Sequence, residues 1–255
     1  MVGDPFLDAS GQPRRLRGVA VISGAPKIAE LAGRLGFDTV WIEVEHGGAS
    51  YSEIEVLCMA VEAGGALPTV RLPNHHREHV LRALEVGARL VVVPMIQDAA
   101  MARELVAHGK FPPLGQRGFN TRSRGLNYGI EGLAALSQTF ARANADTQLI
   151  AQIETLEAAQ RVEEICNVEG IAGILIGPGD LSVSLGKPAA FTDPELIALV
   201  AETIQRARAC GKHAGILVAP GPLLDAALAA GCDLFFCGGD VNDLVRVWKP
   251  LLEVG

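Results

Sequence analysis

Short, almost wholly apolar runs recur along the chain at Gly18 to Ile22, Thr39 to Val44, Leu67 to Arg71, Leu90 to Pro94, Gln148 to Ile153, Ala172 to Ile176, Ala214 to Val218 and Leu234 to Cys237. Between them, apolar positions recur at i, i+3, i+4 and i+7, as in Ile28, Leu31, Ala32 and Leu35, then Ile54, Leu57, Cys58 and Val61. That spacing predicts helices with one buried face. Gly36, Gly87, Gly211 and Gly231 stand just before the next run, where a left-handed residue ends a helix. Asp193-Pro194-Glu195 has the form of a helix start, a capping carboxylate followed by proline. Apolar strands joined by helices call for a parallel sheet covered on both faces. Eight such units in 255 residues predict a (β/α)8 barrel, with a doubly wound open sheet as the alternative. No linker or low-complexity segment interrupts the pattern, so residues 1–255 are expected to form a single barrel domain, with 1–15 as an N-terminal extension. Two connections are long, His108 to Thr147 and Gly177 to Asp193, and long βα connections are where function is expected.

Composition narrows the partners. The chain is 49% hydrophobic and 20% charged, as a packed globular protein is. Its formal net charge of −7, without a lysine or arginine run, argues against nucleic acid or an anionic membrane as partner. No apolar run approaches the ~18 residues of a membrane span, and the N-terminus lacks the apolar core of a signal peptide. Five cysteines without a CxxC pair suit a reducing compartment, so a cytoplasmic location is expected.

In a barrel, chemistry gathers at the C-terminal ends of the strands. There the chain carries Glu43-Val44-Glu45-His46, Arg71, Gln152-Ile153-Glu154, Gly177-Pro178-Gly179-Asp180-Leu181-Ser182 and Cys237-Gly238-Gly239-Asp240. Glu154 and Asp180 offer hard oxygen ligands, suited to Mg²⁺ or Mn²⁺ more than to a structural zinc. The Gly-Pro-Gly-Asp turn offers free backbone N–H groups to an anion. His46 is the natural general base, and Arg71 can hold a developing oxyanion. Together these predict proton abstraction beside a carbonyl, with the enolate held by metal and arginine. No lysine ends a strand, which argues against a Schiff base. His75 and His79 have the spacing of a metal pair but no HExxH pattern, so they are read with His76 as solvent-facing. Cys58, Cys166 and Cys237 are read as small core residues.

With these motifs in order, the sequence resembles the metal-dependent, pyruvate-specific class II aldolases of the HpcH/HpaI (2,4-dihydroxyhept-2-ene-1,7-dioate aldolase) type. The resemblance runs from Gly18 to the C-terminus through Glu45-His46, Val70-Arg71, Val93-Pro94-Met95, Arg117-Gly118, Gln152-Ile153-Glu154 and Gly177 to Ser182. It implies a divalent cation, Mg²⁺, Mn²⁺ or Co²⁺, on Glu154 and Asp180, chelated by pyruvate. It further implies that Arg71 steadies the enolate, that His46 moves protons and that Gln152 orders the site. The amides of Gly179 and Asp180, with Ser182 in the same turn, would bind the substrate. The implied reaction is reversible cleavage of a 4-hydroxy-2-oxo acid to pyruvate and an aldehyde, with oxaloacetate decarboxylation as a side activity. The implied assembly is a hexamer, a trimer of dimers exchanging C-terminal helices. The stripe Val241, Leu244, Val245, Trp248 and Leu252 suits that exchange or packing on its own barrel. Two departures stand out. Glu43 replaces the aspartate usually paired with the histidine, and Gly18 to Val21 lacks the usual first-strand tryptophan, which predicts a wider acceptor pocket. The loop from Arg117 to Gly129, with Arg122 and Arg124, is a candidate for acceptor contacts. An acyl-CoA lyase of the citrate-lyase β-subunit type would carry Glu-Asp where this chain has Glu45-His46. A non-catalytic keto-acid-binding barrel is the remaining alternative.

Overall fold

Alternation of inward and outward side chains organises the computed structural model, which describes residues 4–253. Residues 1–3 of the expected N-terminal extension, and 254–255, lie outside the described residues. The strands are β1 (Leu16–Val21), β2 (Thr39–Glu43), β3 (Leu67–Arg71), β4 (Leu90–Val93), β5 (Gln148–Ile153), β6 (Ile171–Ile176), β7 (His213–Leu217) and β8 (Leu234–Gly239). They close into one parallel barrel in sequence order, β8 pairing back onto β1, as the alternating pattern predicts. Leu16, Ala20, Trp41, Leu90, Val92, Ile150, Leu175, Leu234 and Phe236 fill its interior. Their strand neighbours, such as Val40, Ile42, Val91, Val93, Ile174 and Ile176, pack outward under the helices. Gly18 has a steric role here: a Cβ would meet the Phe236 ring at 2.3 Å. At the N-terminal end Phe6 is buried in the interior cluster and stacks on His213, ring centroids 3.5 Å apart.

Helix boundaries follow local chemistry. Asp193 caps Pro194–Ala209 through the amides of Glu195 and Leu196, and Ser50 with Glu53 forms a capping box that starts Tyr51–Ala63 just beyond His46. The long segment after Lys110 departs from expectation. It leaves from the end of the helix Ala99–Gly109, passes through short 3-10 turns and returns by the helix Leu136–Asp146 directly into β5. The chain has by then descended a full helix. The segment therefore reaches the N-terminal end of the barrel, and Arg124 pairs with Glu62 at the end of Tyr51–Ala63. Contacts from Arg124 to an aldehyde at the barrel mouth of the same chain are excluded by that placement.

The last helix, Asp240–Trp248, has no buried residue; Val241, Val245, Trp248 and Leu252 are exposed, Trp248 by 59%. Of its stripe only Leu244 is half-buried, and the other four residues are left uncovered by their own barrel. No helix among the described residues is long and apolar enough to cross a membrane.

Candidate active site at the C-terminal end of the barrel

Strand period and register build the first half of the site. Trp41 and Glu43 lie two apart on β2 and share the inward face, and Glu43 is registered against Arg71 on β3. Arg71 Nε donates to Glu43 Oε2 at 2.9 Å and Oε1 at 3.2 Å. The same carboxylate accepts from Trp41 Nε1 at 3.0 Å and from the amides of Glu45 and His46 at 2.8 and 3.1 Å. The expected pairing of Glu43 with the His46 ring is not formed, because these donors occupy the carboxylate. The His46 side chain is 70% exposed, and its Nε2 lies 3.9 Å from Glu45 Oε2.

The other half comes from β4, β5 and β6. Glu154 follows β5, buried, with Oε1 accepting from Gln152 Nε2 at 2.7 Å and Oε2 from the Met95 amide at 2.9 Å. Met95 adopts φ 55°, a left-handed conformation costly for a residue with a Cβ. Gly177 follows β6 against this carboxylate, and a Cβ there would stand 2.7 Å from Glu154 Oε1. Arg71 Nη1 lies 2.7 Å from Glu45 Oε2 and 3.9 Å from Glu154 Oε1. One guanidinium thus joins three carboxylates, above the Trp41 ring at 5.7 Å.

Asp180 and Gly179 are exposed in the first turn after Gly177, and the space beside Gly179 is open. Ser182, expected among the substrate contacts, is buried. Its hydroxyl donates to the Gly179 carbonyl at 2.6 Å and accepts from the Ala189 amide at 3.0 Å. It shapes the turn from beneath and does not face the mouth.

The site is short of positive charge. Burial pushes the Glu154 carboxyl up to about 7 against the Met95 amide and Arg71, and Asp180 and Glu45 push the same way. Burial also raises Glu45, opposed by Arg71 and His46. Glu45 Oε2 and Gln152 Oε1 are buried without a hydrogen bond; Glu45 Oε2 is near Arg71 but not in bonding geometry. Carboxylates that raise one another, with orphaned oxygens beside them, fit a hard divalent cation. Among the described residues no three acidic, histidine or cysteine side chains converge as a closed cage. A cation on Glu154 and Asp180 would keep positions open for water and substrate.

Sequence reasoning placed Glu45 at the mouth without giving it a role, and did not assign Trp41 or Met95 to the site. The period of two from Glu43 back to Trp41 was the available signal for the indole. The histidine reading needs correction: His75 precedes the helix Arg77–Glu85 and meets Glu104 at 3.1 Å, while His79 Nδ1 lies 2.8 Å from the Tyr51 hydroxyl. Both are half-buried by these partners, and only His76 is solvent-facing. Cys58 and Cys166 are fully buried, their thiols pushed up to about 12 by burial, whereas Cys237 is half-buried.

Residues 18–244 match the sequence profile described as HpcH/HpaI aldolase/citrate lyase. The chain is 30% identical to a 2-keto-3-deoxy-L-rhamnonate aldolase of Salmonella gallinarum, covering 94% of this chain and 88% of that one. It is 34% identical to a hydroxypyruvate/pyruvate aldolase of Rhizorhabdus wittichii, over 88% of this chain and 87% of that one. Among solved structures, an HpcH/HpaI aldolase from Desulfitobacterium hafniense superposes with a TM-score of 0.86 at 25% identity, covering 94% and 92% of the two chains.

Proposed function

The chain belongs to the HpcH/HpaI aldolase/citrate lyase family, and on that premise we propose that it is a divalent-metal-dependent class II aldolase, a carbon–carbon lyase that cleaves a 4-hydroxy-2-oxo acid to pyruvate and an aldehyde. The observation that carries this reading is the Arg71 guanidinium held among Glu43, Glu45 and Glu154 at the barrel mouth. In cleavage, a base takes the proton of the substrate's 4-hydroxyl, the C3–C4 bond breaks, the aldehyde leaves, and C3 of the pyruvate enolate takes up a proton. His46, on an exposed turn beside Glu45, carries these protons. Arg71 faces the charge that develops on the enolate oxygen, and Glu43 with Trp41 fixes its orientation. The open turn at Gly179 and Asp180 receives the substrate carboxylate, and Gln152 keeps Glu154 aimed. Glu154 and Asp180 would hold the cation, Mg²⁺, Mn²⁺ or Co²⁺, which would supply Lewis-acid polarisation of the 2-keto group.

β1 brings no large aromatic to the mouth, which supports a broad range of aldehydes. The same enolate chemistry supports oxaloacetate decarboxylation. The uncovered helix Asp240–Trp248 supports a homo-oligomer in which this helix packs on a neighbour, in the hexameric arrangement the family resemblance implies. Five free cysteines support a cytoplasmic location.

The test combines pyruvate with a panel of aldehydes under each of the three cations and follows the aldol product. Product with at least one aldehyde, lost on chelation and reduced at least about a hundredfold in Glu154→Gln, is expected. Binding of pyruvate without product under any cation would establish the non-catalytic alternative instead, and cleavage confined to acyl-CoA substrates would establish the acyl-CoA lyase.

A further inference from the structure

A cavity of about 360 Å³ opens at the other end of the barrel, where Gly87, Ala88 and Arg89 lead into β4 and Thr147 leads into β5. Four arginines line it, and three are committed. Arg89 faces Asp146 at 3.7 Å, Arg142 reaches Glu131 at 2.6 Å, and Arg124 is paired with Glu62. Arg117 is different. It is 6% exposed, lies with its guanidinium carbon 4.7 Å from the centroid of the Phe111 ring, and forms no hydrogen bond or ion pair through its side chain among the described residues. A buried guanidinium with no partner is strongly unfavourable. Burial draws its pKa down to about 10, with Glu85 opposing, so it remains cationic at neutral pH.

The surroundings sharpen what is missing. Lys110 is also buried close by, bonded only to the carbonyls of Asn144 and Thr147, and burial and Arg117 draw it down to about 8. Arg117 in the cavity wall and Lys110 thus repel one another. Asp146 shares the cavity wall, and its Oδ1 is buried with no hydrogen-bond partner. Water could satisfy the hydrogen bonds but would bring no counter-charge, and Glu85, the one acidic group acting on Arg117 among the described residues, makes no ion pair with it. The unmet needs are an oxyanion for the guanidinium and a hydroxyl donor for the Asp146 oxygen.

We infer that this cavity binds a small hydroxylated organic anion, its carboxylate or phosphate on Arg117 and a hydroxyl donating to Asp146. The cavity shares no residue with the barrel mouth, so the inference stands apart from the proposed reaction.

Calorimetry on the full chain with D-glycerate, glycerol 3-phosphate, inorganic phosphate and glycerol, at fixed ionic strength, tests it. Binding of the hydroxylated anions is expected, with phosphate weaker and glycerol silent; the stronger of the first two identifies the oxyanion. Arg117→Met should bind at least about tenfold more weakly while keeping its aldol activity. If that variant fails to fold, Asp146→Asn should retain phosphate binding and lose the preference for glycerol 3-phosphate over phosphate. In the unaltered chain, added ligand should slow backbone amide exchange in segments 117–128 and 139–147. No binding by any probe, equal binding by Arg117→Met, an unchanged preference in Asp146→Asn, or protection at Glu154 and Asp180 instead would overturn the inference.

Discussion

Arg71 is the residue on which the mouth depends, because its nitrogens reach Glu43, Glu45 and Glu154 from one side chain. A lysine supplies the charge but not the fork, so it cannot bond Glu43 while facing Glu45. Arg71→Lys should therefore lower kcat by about a hundredfold with little change in thermal unfolding. A rise in KM alone, at unchanged kcat, would contradict a role on the developing charge. Lys110 gives a second prediction. Its folded value of about 8 lies below the ordinary 10.5, first through burial and then through Arg117. Between those values the unfolded chain binds more protons than the folded one, so this group makes stability rise with pH from about 8 to about 10.5. Chemical denaturation across that window should show the rise in the native chain and a flatter response in Lys110→Met; parallel curves would contradict it. Arg71, Gln152, Glu154 and Asp180 could be read from the sequence because polar residues directly after apolar strands face a barrel mouth. Glu45 could be placed at the mouth but not paired with Arg71, and Met95 could not be read at all. The first acts through the far nitrogen of a residue on the next strand, and the second through a backbone amide set by an unusual backbone angle.

At the scale of elements, all eight strands fall within two residues of the runs read from the sequence, since burial on both faces leaves an unbroken apolar signature. The segment between Lys110 and Leu136 was legible only as long. Its direction depends on where the preceding helix stops, and a loop's composition does not say which end of the barrel it covers. The helix Asp240–Trp248 presents the opposite case. Its stripe is plain in the sequence, but whether its own barrel covers it is a tertiary fact, and the exposed Trp248 and Leu252 answer it. Replacing Trp248 and Leu252 together by aspartate should convert an oligomer to monomers in light scattering. An unchanged molar mass would contradict exchange of this helix.

Over the whole molecule, unmet charge is divided between the two ends of the barrel. At the strand C-termini Glu43, Glu45 and Glu154 outnumber Arg71, and at the N-termini Arg117 and Lys110 lie buried with Asp146, although the chain as a whole carries −7. In the proposed reaction the acidic end would hold a divalent cation, and an enolate beside Arg71 is the chemistry that cation and guanidinium would together serve. The most direct measurement of that central claim is NMR-detected exchange of the pyruvate methyl protons with deuterated water in the presence of the chain. Enolisation at this site predicts exchange that appears with Mg²⁺, Mn²⁺ or Co²⁺, stops on chelation and is lost in Glu154→Gln. Absence of exchange under every divalent ion, or exchange that survives both chelation and Glu154→Gln, would contradict it.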